Sequence, residues 1–404
     1  MAMSFQLDET KNHQAKIKVI GVGGAGGNAL NTMIRANLRE VEFIAVNTDM
    51  QVLETSLAPI KLQIGANITR GLGAGSEPMV GRESAHEDLD RIRDLIEGSD
   101  MVFITAGMGG GTGTGAAPVI AELAHEAGIL TVGVVTKPFF YEGKKRLANA
   151  MAGIKELNKH VDTIIVIPND RIQLVVEKGT SLLKSFELAN DVLKNAVQGI
   201  TDLILVPGLI NLDFADVKSI MKGSGKAVMG LGTGTGEEGV LEAAKRAISI
   251  PLLEDNTIEG ARGILVNITG GENLSLDSIQ NATGLIYDSA HNDANIIFGV
   301  SMDPEMKDDV RITVIATSFE EKKDKSAVNE MNKWRPEAVN ETMKRPPVED
   351  KVPSYRSRSE RFLTKESFAS LYEKDSRSVN RDILGCEDEV DIPTFSRKPV
   401  SSKI

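Results

Sequence analysis

The chain has 404 residues, 41% of them hydrophobic and 25% charged, which suits two or three ordinary globular domains. The formal charge of −11 argues against a nucleic-acid-binding surface. Cys386 stands alone and the five histidines are scattered, so internal disulfides, cysteine metal clusters and paired-histidine zinc sites are not expected, and a reducing cytosol is the natural compartment.

Residues 1–15 are polar and read as a flexible segment rather than a leader. No apolar run reaches the length of a membrane span, so direct membrane insertion is not expected. Residues 16–22 (KIKVIGV) predict a strand, and 29–38 a helix. Between them Gly21, Gly23 and Gly26 form GxGxxG, and a second strand at 41–46 ends on Asn47-Thr48-Asp49. By spacing this is a dinucleotide fingerprint, with Asp49 where a ribose-binding acid would sit, and an NAD-dependent dehydrogenase is one reading.

Two further glycine loops weaken that reading. Residues 69–76 (TRGLGAGS) precede a helical pattern at 79–96, and 107–115 (GMGGGTGTG) follow a buried strand at 100–106 and precede a helix at 116–127. Strand, glycine loop, helix presents backbone N–H groups and a helix N-terminus to an anion. Three such loops suggest convergence on one polyphosphate, and Thr112 and Thr114 add hydroxyl donors. GxxxxGK[ST] is missing, since Gly223-Ser224-Gly225-Lys226 lacks both the upstream glycine and the following hydroxyl residue. Asn158-Lys159-His160-Val161-Asp162 has the wrong spacing for NKxD.

Strands at 129–136 and 161–167 continue a βα alternation through residue 180, so residues 16–179 predict a doubly wound parallel sheet of Rossmann-like α/β class. Glu142 and Arg146 lie four apart at a helix start, read either as an ordinary ion pair or as nucleotide contacts. Residues 180–204 carry an apolar stripe of 3.6 period and predict a long central helix bridging two domains. Phe186 and Asn190 share one of its faces, where a ring could stack on a base and an amide read a base edge.

Asp213 reads as an N-cap for a short helix at 214–221, or with Asp216 as a carboxylate pair able to polarise a water. Residues 205–320 predict a smaller α+β domain with a four-stranded sheet: strands at 227–231, 263–268, 295–300 and 310–317, helices at 237–248 and 275–290. The glycine run 230–236 looks like another phosphate loop but, lying in this second domain, reads as a turn. Residues 321–388 hold 15 basic and 14 acidic residues without sustained period and read as a disordered linker. Residues 389–404 return to an apolar-containing motif.

Together these motifs resemble the tubulin/FtsZ family of GTPases, which polymerise in cell division, most specifically in Gly109–Gly115. The resemblance covers 16–320 and the C-terminal peptide. It implies the tubulin type of α/β fold, with GTP/GDP bound and GTP hydrolysed. Gly24, Ala25, Gly26, Gly27 and Asn28, with Gly109, Gly110, Gly111, Thr112, Gly113, Thr114 and Gly115, would cradle the phosphates. Ala25 stands where the family often has glycine. Asn47, Asp49 and the loop around Gly73 would flank the terminal phosphates and a Mg2+ held mainly through them, and a monovalent cation is allowed. Glu142 and Arg146 would contact ribose and phosphate; Asn169, Phe186, Asn190 and Asp191 would hold guanine.

The resemblance further implies that Asn211, Asp213 and Asp216 enter the nucleotide site of the next subunit, in head-to-tail protofilaments that form the division ring at the septum. In the tail, Asp391, Ile392, Pro393, Phe395, Arg397 and Lys398 would bind membrane tethers and division regulators of FtsA and Min type, holding the protein at mid-cell on the cytoplasmic face of the membrane. Ser396 stands where the family usually has leucine. A scaffold gated by nucleotide without useful hydrolysis is the remaining alternative.

Overall fold

The computed structural model describes residues 15–319 apart from 39, 173–179, 207, 211, 237, 250–257, 259, 272–273 and 304–305. The expected N-terminal segment, the linker, the C-terminal peptide and Asn211 lie outside the described residues.

The first half alternates strands and helices: β1 (Ile17–Val22), α1 (Gly23–Arg35), β2 (Val41–Asn47), α2 (Met50–Thr55), β3 (Ile60–Gln63), α3 (Ala66–Thr69), α4 (Pro78–Glu87), α5 (Leu89–Ile96), β4 (Met101–Gly107), α6 (Thr112–Glu126), β5 (Leu130–Lys137), a 3-10 turn (Phe140–Glu142), α7 (Lys144–Leu157), β6 (Thr163–Pro168) and α8 (Asn169–Ile172). The long helix α9 (Leu182–Leu205) follows. Then come α10 (Phe214–Met221), β7 (Gly225–Thr235), α11 (Gly239–Ile248), β8 (Ala261–Gly270), α12 (Leu276–Ser289), β9 (Asn295–Met302) and β10 (Asp309–Phe319).

The strands make one sheet in the order β3-β2-β1-β4-β5-β6-β7-β10-β8-β9. The first six are parallel and covered on both faces, so β4 and β5 read as near-continuous apolar runs. One face packs α1, α9 and α10 around Phe103, Val132 and Leu193. The other packs α4 to α7 around Ile104, Ile120 and Leu157. The four strands expected in the second half are present and form the mixed end of the sheet, where β10 runs antiparallel to β7 and β8 while β8 and β9 are parallel. The strand β7 joins the two parts by pairing Gly225, Lys226 and Ala227 with β6.

Several boundaries differ from the sequence reading for identifiable reasons. The run 230–236 is not a turn, because β7 continues through it to Thr235. A Cβ on Gly232 would run into the Ala243 carbonyl, and one on Gly234 into the Gly239 carbonyl, so these glycines let α11 lie directly on the strand. The pattern at 79–96 is two helices, broken at Asp88. The Asp88 carboxylate accepts the Gly65 N–H at 2.8 Å and pairs with Arg91 at 2.8 Å. Helices α1 and α6 begin at Gly23 and Thr112, inside the glycine loops rather than beyond them.

Helix α9 has 24 residues and spans roughly 35 Å. Its stripe of Ala189, Leu193, Val197, Ile200 and Leu203 is buried against strands of both halves, including Ile165 and Ile315. Contact with the second half is close, since a Cβ on Gly199 would lie 2.6 Å from the Thr313 methyl. The Asn267 amide donates to the Gly199 carbonyl at 3.3 Å.

Candidate nucleotide site

In the sheet order, β2 lies on one side of β1 and β4 on the other. The chain leaves β1 toward α1 and leaves β4 toward α6, so the crevice between these loops is the topological switch point, where open α/β sheets bind ligands. Neither helix has a side-chain N-cap, so the backbone N–H groups of both first turns are left for another acceptor.

The glycines divide by what surrounds them. A Cβ on Gly26 would lie 2.5 Å from the Thr105 carbonyl, and one on Gly23 would lie 2.9 Å from the Gly113 nitrogen, so the two loops touch. Gly107 receives the Ala25 methyl, 2.5 Å from where its own Cβ would be. Gly113 and Gly115 are crowded by backbone, Gly115 by Pro78 and Arg82 of α4. Around Gly24, Gly27 and Gly110, by contrast, a Cβ would meet nothing within 4 Å. Most of the glycines therefore close the fold, and these three border open space. Gly24, Ala25 and Asn28 are exposed along the same rim.

The threonines are more occupied than their sequence suggested. Thr114 Oγ1 accepts the Gly109 N–H at 2.8 Å, and Thr112 Oγ1 shares a 2.7 Å hydrogen bond with Thr48 Oγ1. They brace the loop against itself and against the end of β2. Asp49 is also engaged: its Oδ1 caps α2 by accepting from Gln51 and Val52. That use of the carboxylate does not suit the ribose-binding acid of a dehydrogenase. Asn47 is buried and accepts the Asp49 N–H at 3.2 Å. Gly73 has φ +85° beside the Asp49 side chain, bringing the 71–75 loop over the end of β2.

On the far side of the crevice, Glu142 Oε1 accepts the Phe139 N–H at 2.8 Å while Oε2 pairs with Arg146 at 3.1 Å. Arg146 is fixed beside the loop, since a Cβ on Gly109 would lie 2.7 Å from its carbonyl oxygen. Partial burial, with the charges of Glu142 and Asp170, pushes the pKa of the Tyr141 hydroxyl above its usual value.

Asn169 follows β6 directly, is 5% exposed, and leaves Oδ1 without a hydrogen-bond partner. A buried unpaired acceptor at the mouth of a crevice fits a ligand that brings an N–H donor. Phe186 packs edge-to-face on Phe139, centroids 5.3 Å apart, and Phe139 stacks on Tyr141 at 5.1 Å. Phe186 still keeps 39% of its surface exposed, so core packing and an available ring face coexist. Asn190 is half-buried one turn on, and Asp191 pairs with Lys194 at 3.7 Å. Phe139 and Thr48 were passed over in the sequence, because only their contacts reveal their part.

Asp213 and Asp216 are elsewhere. Asp213 occupies the N-cap position of α10, yet its side chain makes no capping hydrogen bond, and both carboxylates are exposed. The far end of α10 is pinned to the start of β6, where Thr163 Oγ1 donates to the Met221 carbonyl at 2.5 Å. That is the amino end of the parallel strands, whereas the glycine loops stand at their carboxyl ends. Among the described residues no hydrogen bond or ion pair joins the two groups.

The Tubulin/FtsZ family GTPase domain matches residues 16–177, and the FtsZ family C-terminal domain matches 225–320. An empty FtsZ dimer from M. jannaschii is 42% identical at TM-score 0.73, over 76% of this chain and 89% of that one. A mutant FtsZ from the same organism is 43% identical at TM-score 0.72, over 75% and 91%. A GTPgS-bound protofilament of CetZ2 from Haloferax volcanii shares the fold at 20% identity and TM-score 0.64, over 76% of this chain and 94% of that one. With its glycine loops at the switch point and both domain matches in register with the two halves of the sheet, the chain belongs to the tubulin/FtsZ family of GTPases.

Proposed function

We propose that this cytoskeletal-type GTPase polymerises head to tail, and that Asp213 and Asp216 of one subunit complete the GTP site of the next. One observation supports this above the others. The helix that carries the carboxylates, α10, is pinned at the amino end of β6, whereas the glycine loops leave the carboxyl ends of their strands, and the roughly 35 Å run of α9 separates α10 from those loops along the chain. Both carboxylates are exposed and Asp213 leaves its capping role unused, as an outward-facing catalytic pair would. A contact between unlike surfaces that does not close on itself builds an open filament.

In this reading the first turns of α1 and α6, with Gly24, Gly27 and Gly110, hold the phosphates. Arg146 sets positive charge beside them, Asn169 accepts from the guanine edge, and Phe186 with Asn190 walls the base. Mg2+ would arrive on the phosphates and there neutralise their charge. Asp213 and Asp216 position the attacking water, with Asn211 beside them in sequence. The C-terminal peptide would tie the filament to FtsA-type tethers and Min-type regulators at the division site, on the cytoplasmic face of the membrane. No described helix is long and apolar enough to cross a membrane itself.

The test is GTP turnover per subunit across protein concentration. A steep rise above a threshold is the expected result; a rate independent of concentration would mean that each chain carries a complete site, and would overturn the shared one.

A further inference from the structure

The Gly109–Gly111 loop lies in a slot with two walls. One wall is the first turn of α7, with the Arg146 carbonyl 2.7 Å from a Cβ on Gly109. The other is the segment before α4: a Cβ on Gly111 would lie 2.8 Å from Ala74 Cβ and 3.1 Å from the Glu77 nitrogen. Between the walls, Gly110 borders open space. Glu77 and Lys145 belong to opposite walls, and the Lys145 ammonium donates to Glu77 Oε1 at 2.8 Å, tying the walls together across the slot.

The fold has little need of this pair. Lys145 is 79% and Glu77 55% exposed, and such pairs contribute little to stability. Both walls are already anchored on α6, α4 through the close approach of Pro78 to Gly115 and α7 through that of Gly153 to Thr114. What the pair does join is the two walls that flank Gly110.

We propose that Glu77 and Lys145 form a latch that retains the nucleoside diphosphate and is released by the triphosphate. This rests on the nucleotide-site reading above. With a diphosphate bound, Lys145 stays on Glu77 and the slot is strapped. A further phosphate beside Gly110 brings a denser anion to the same opening. It competes with Glu77 for the ammonium and repels the carboxylate, so the strap opens as the slot fills. The latch therefore sets how long the product stays.

The experiment follows dissociation of a fluorescent GDP and of a fluorescent, slowly hydrolysed GTP analogue, chased by unlabelled nucleotide. It is done on the full chain at a dilution where sedimentation shows monomer. Glu77→Gln is expected to speed GDP release about two- to fivefold, the range of an exposed ion pair, while analogue release stays the same or slows. Rising salt should bring the unaltered protein toward the variant's GDP rate. Glu77→Lys combined with Lys145→Glu should restore slow GDP release. GDP release at the unaltered rate in Glu77→Gln overturns the latch, as does a Glu77→Gln/Lys145→Gln double variant whose effect on GDP release is the product of the single effects. Failure of the unaltered protein to bind either nucleotide overturns the site reading, and the latch with it.

Discussion

Gly110→Ala separates the binding role of the glycine loop from its packing role. A Cβ at Gly110 meets nothing within 4 Å, and the residue's φ is not positive, so the folded protein accepts alanine without strain. Stability should stay within about 0.5 kcal/mol, or rise slightly as the unfolded chain loses freedom. The methyl nevertheless enters the space the phosphate would occupy. Loss of one charge-assisted hydrogen bond costs about 1.5–3 kcal/mol, or roughly 10- to 150-fold in affinity. Gly115→Ala is the control, because its Cβ would strike the Pro78 carbonyl and the Arg82 nitrogen of α4. Overpacking there should cost about 1–3 kcal/mol. The assay is thermal unfolding with and without GDP. Gly110→Ala should keep the apo Tm and lose the GDP-induced rise, whereas Gly115→Ala should lower the apo Tm. A Gly110→Ala protein that keeps its full GDP shift would refute the assignment of that opening to phosphate.

Asp213→Ala should bind GTP normally and not turn it over, and mixing it with Gly110→Ala should restore turnover at about a quarter of contacts, those pairing an intact pocket with an intact Asp213; two inactive proteins that stay inactive together speak against the shared site. Asn169→Ala removes an unpaired buried acceptor, so stability should change by less than about 1 kcal/mol while guanine-nucleotide affinity falls about 10- to 100-fold, read by competition between GDP and ADP. Asp202 on α9 has its carboxyl raised from 3.8 to about 6, first by burial and then by Asp303, against the lowering effects of Arg311 and the Gln198 hydrogen bond. The folded value exceeds the unfolded one, so the stability that this group contributes is complete below pH 3.8 and is lost as pH rises toward 6. Asp202→Asn should therefore gain on the order of 2 kcal/mol at pH 7.5 and almost nothing at pH 4, measured as the Tm difference from the unaltered protein.

The parallel half was legible because buried strands such as 100–106 and 129–136 announce themselves as apolar runs between helical periods. So was α9, whose stripe faces the core almost as spaced. The four-residue strand β3 was missed, having too few residues to show a period. Helix α6 begins at Thr112 although Gly113 and Gly115 each disfavour a helix by about 1 kcal/mol, because the close approach of β1, β4 and α4 depends on those glycines. The same cause hid the far part of β7, beyond residue 231, where glycines that looked like a turn serve the seating of α11. In the site, residue types marked the phosphate loops, but not the work of individual atoms. That Thr114 braces Gly109 depends on the path of the loop between them, and that Asn169 is left unpaired and that Lys145 meets Glu77 depend on distances between segments far apart in the chain.

The order of strands in the sheet has a consequence on the ribosome. All six parallel strands and every glycine loop are made by Pro168, and the helix face bearing Phe186 and Asn190 emerges shortly after. The second half cannot close so early, because its last strand, β10, lies between β7 and β8. At about 5–20 residues per second, the interval between Pro168 and Phe319 lasts roughly 8 to 30 s. Nascent α10, complete only at Met221, waits through the later part of it with β7 unpaired on one side. The glycine loops of the subunit are thus complete before the half of the sheet that follows α10 can close.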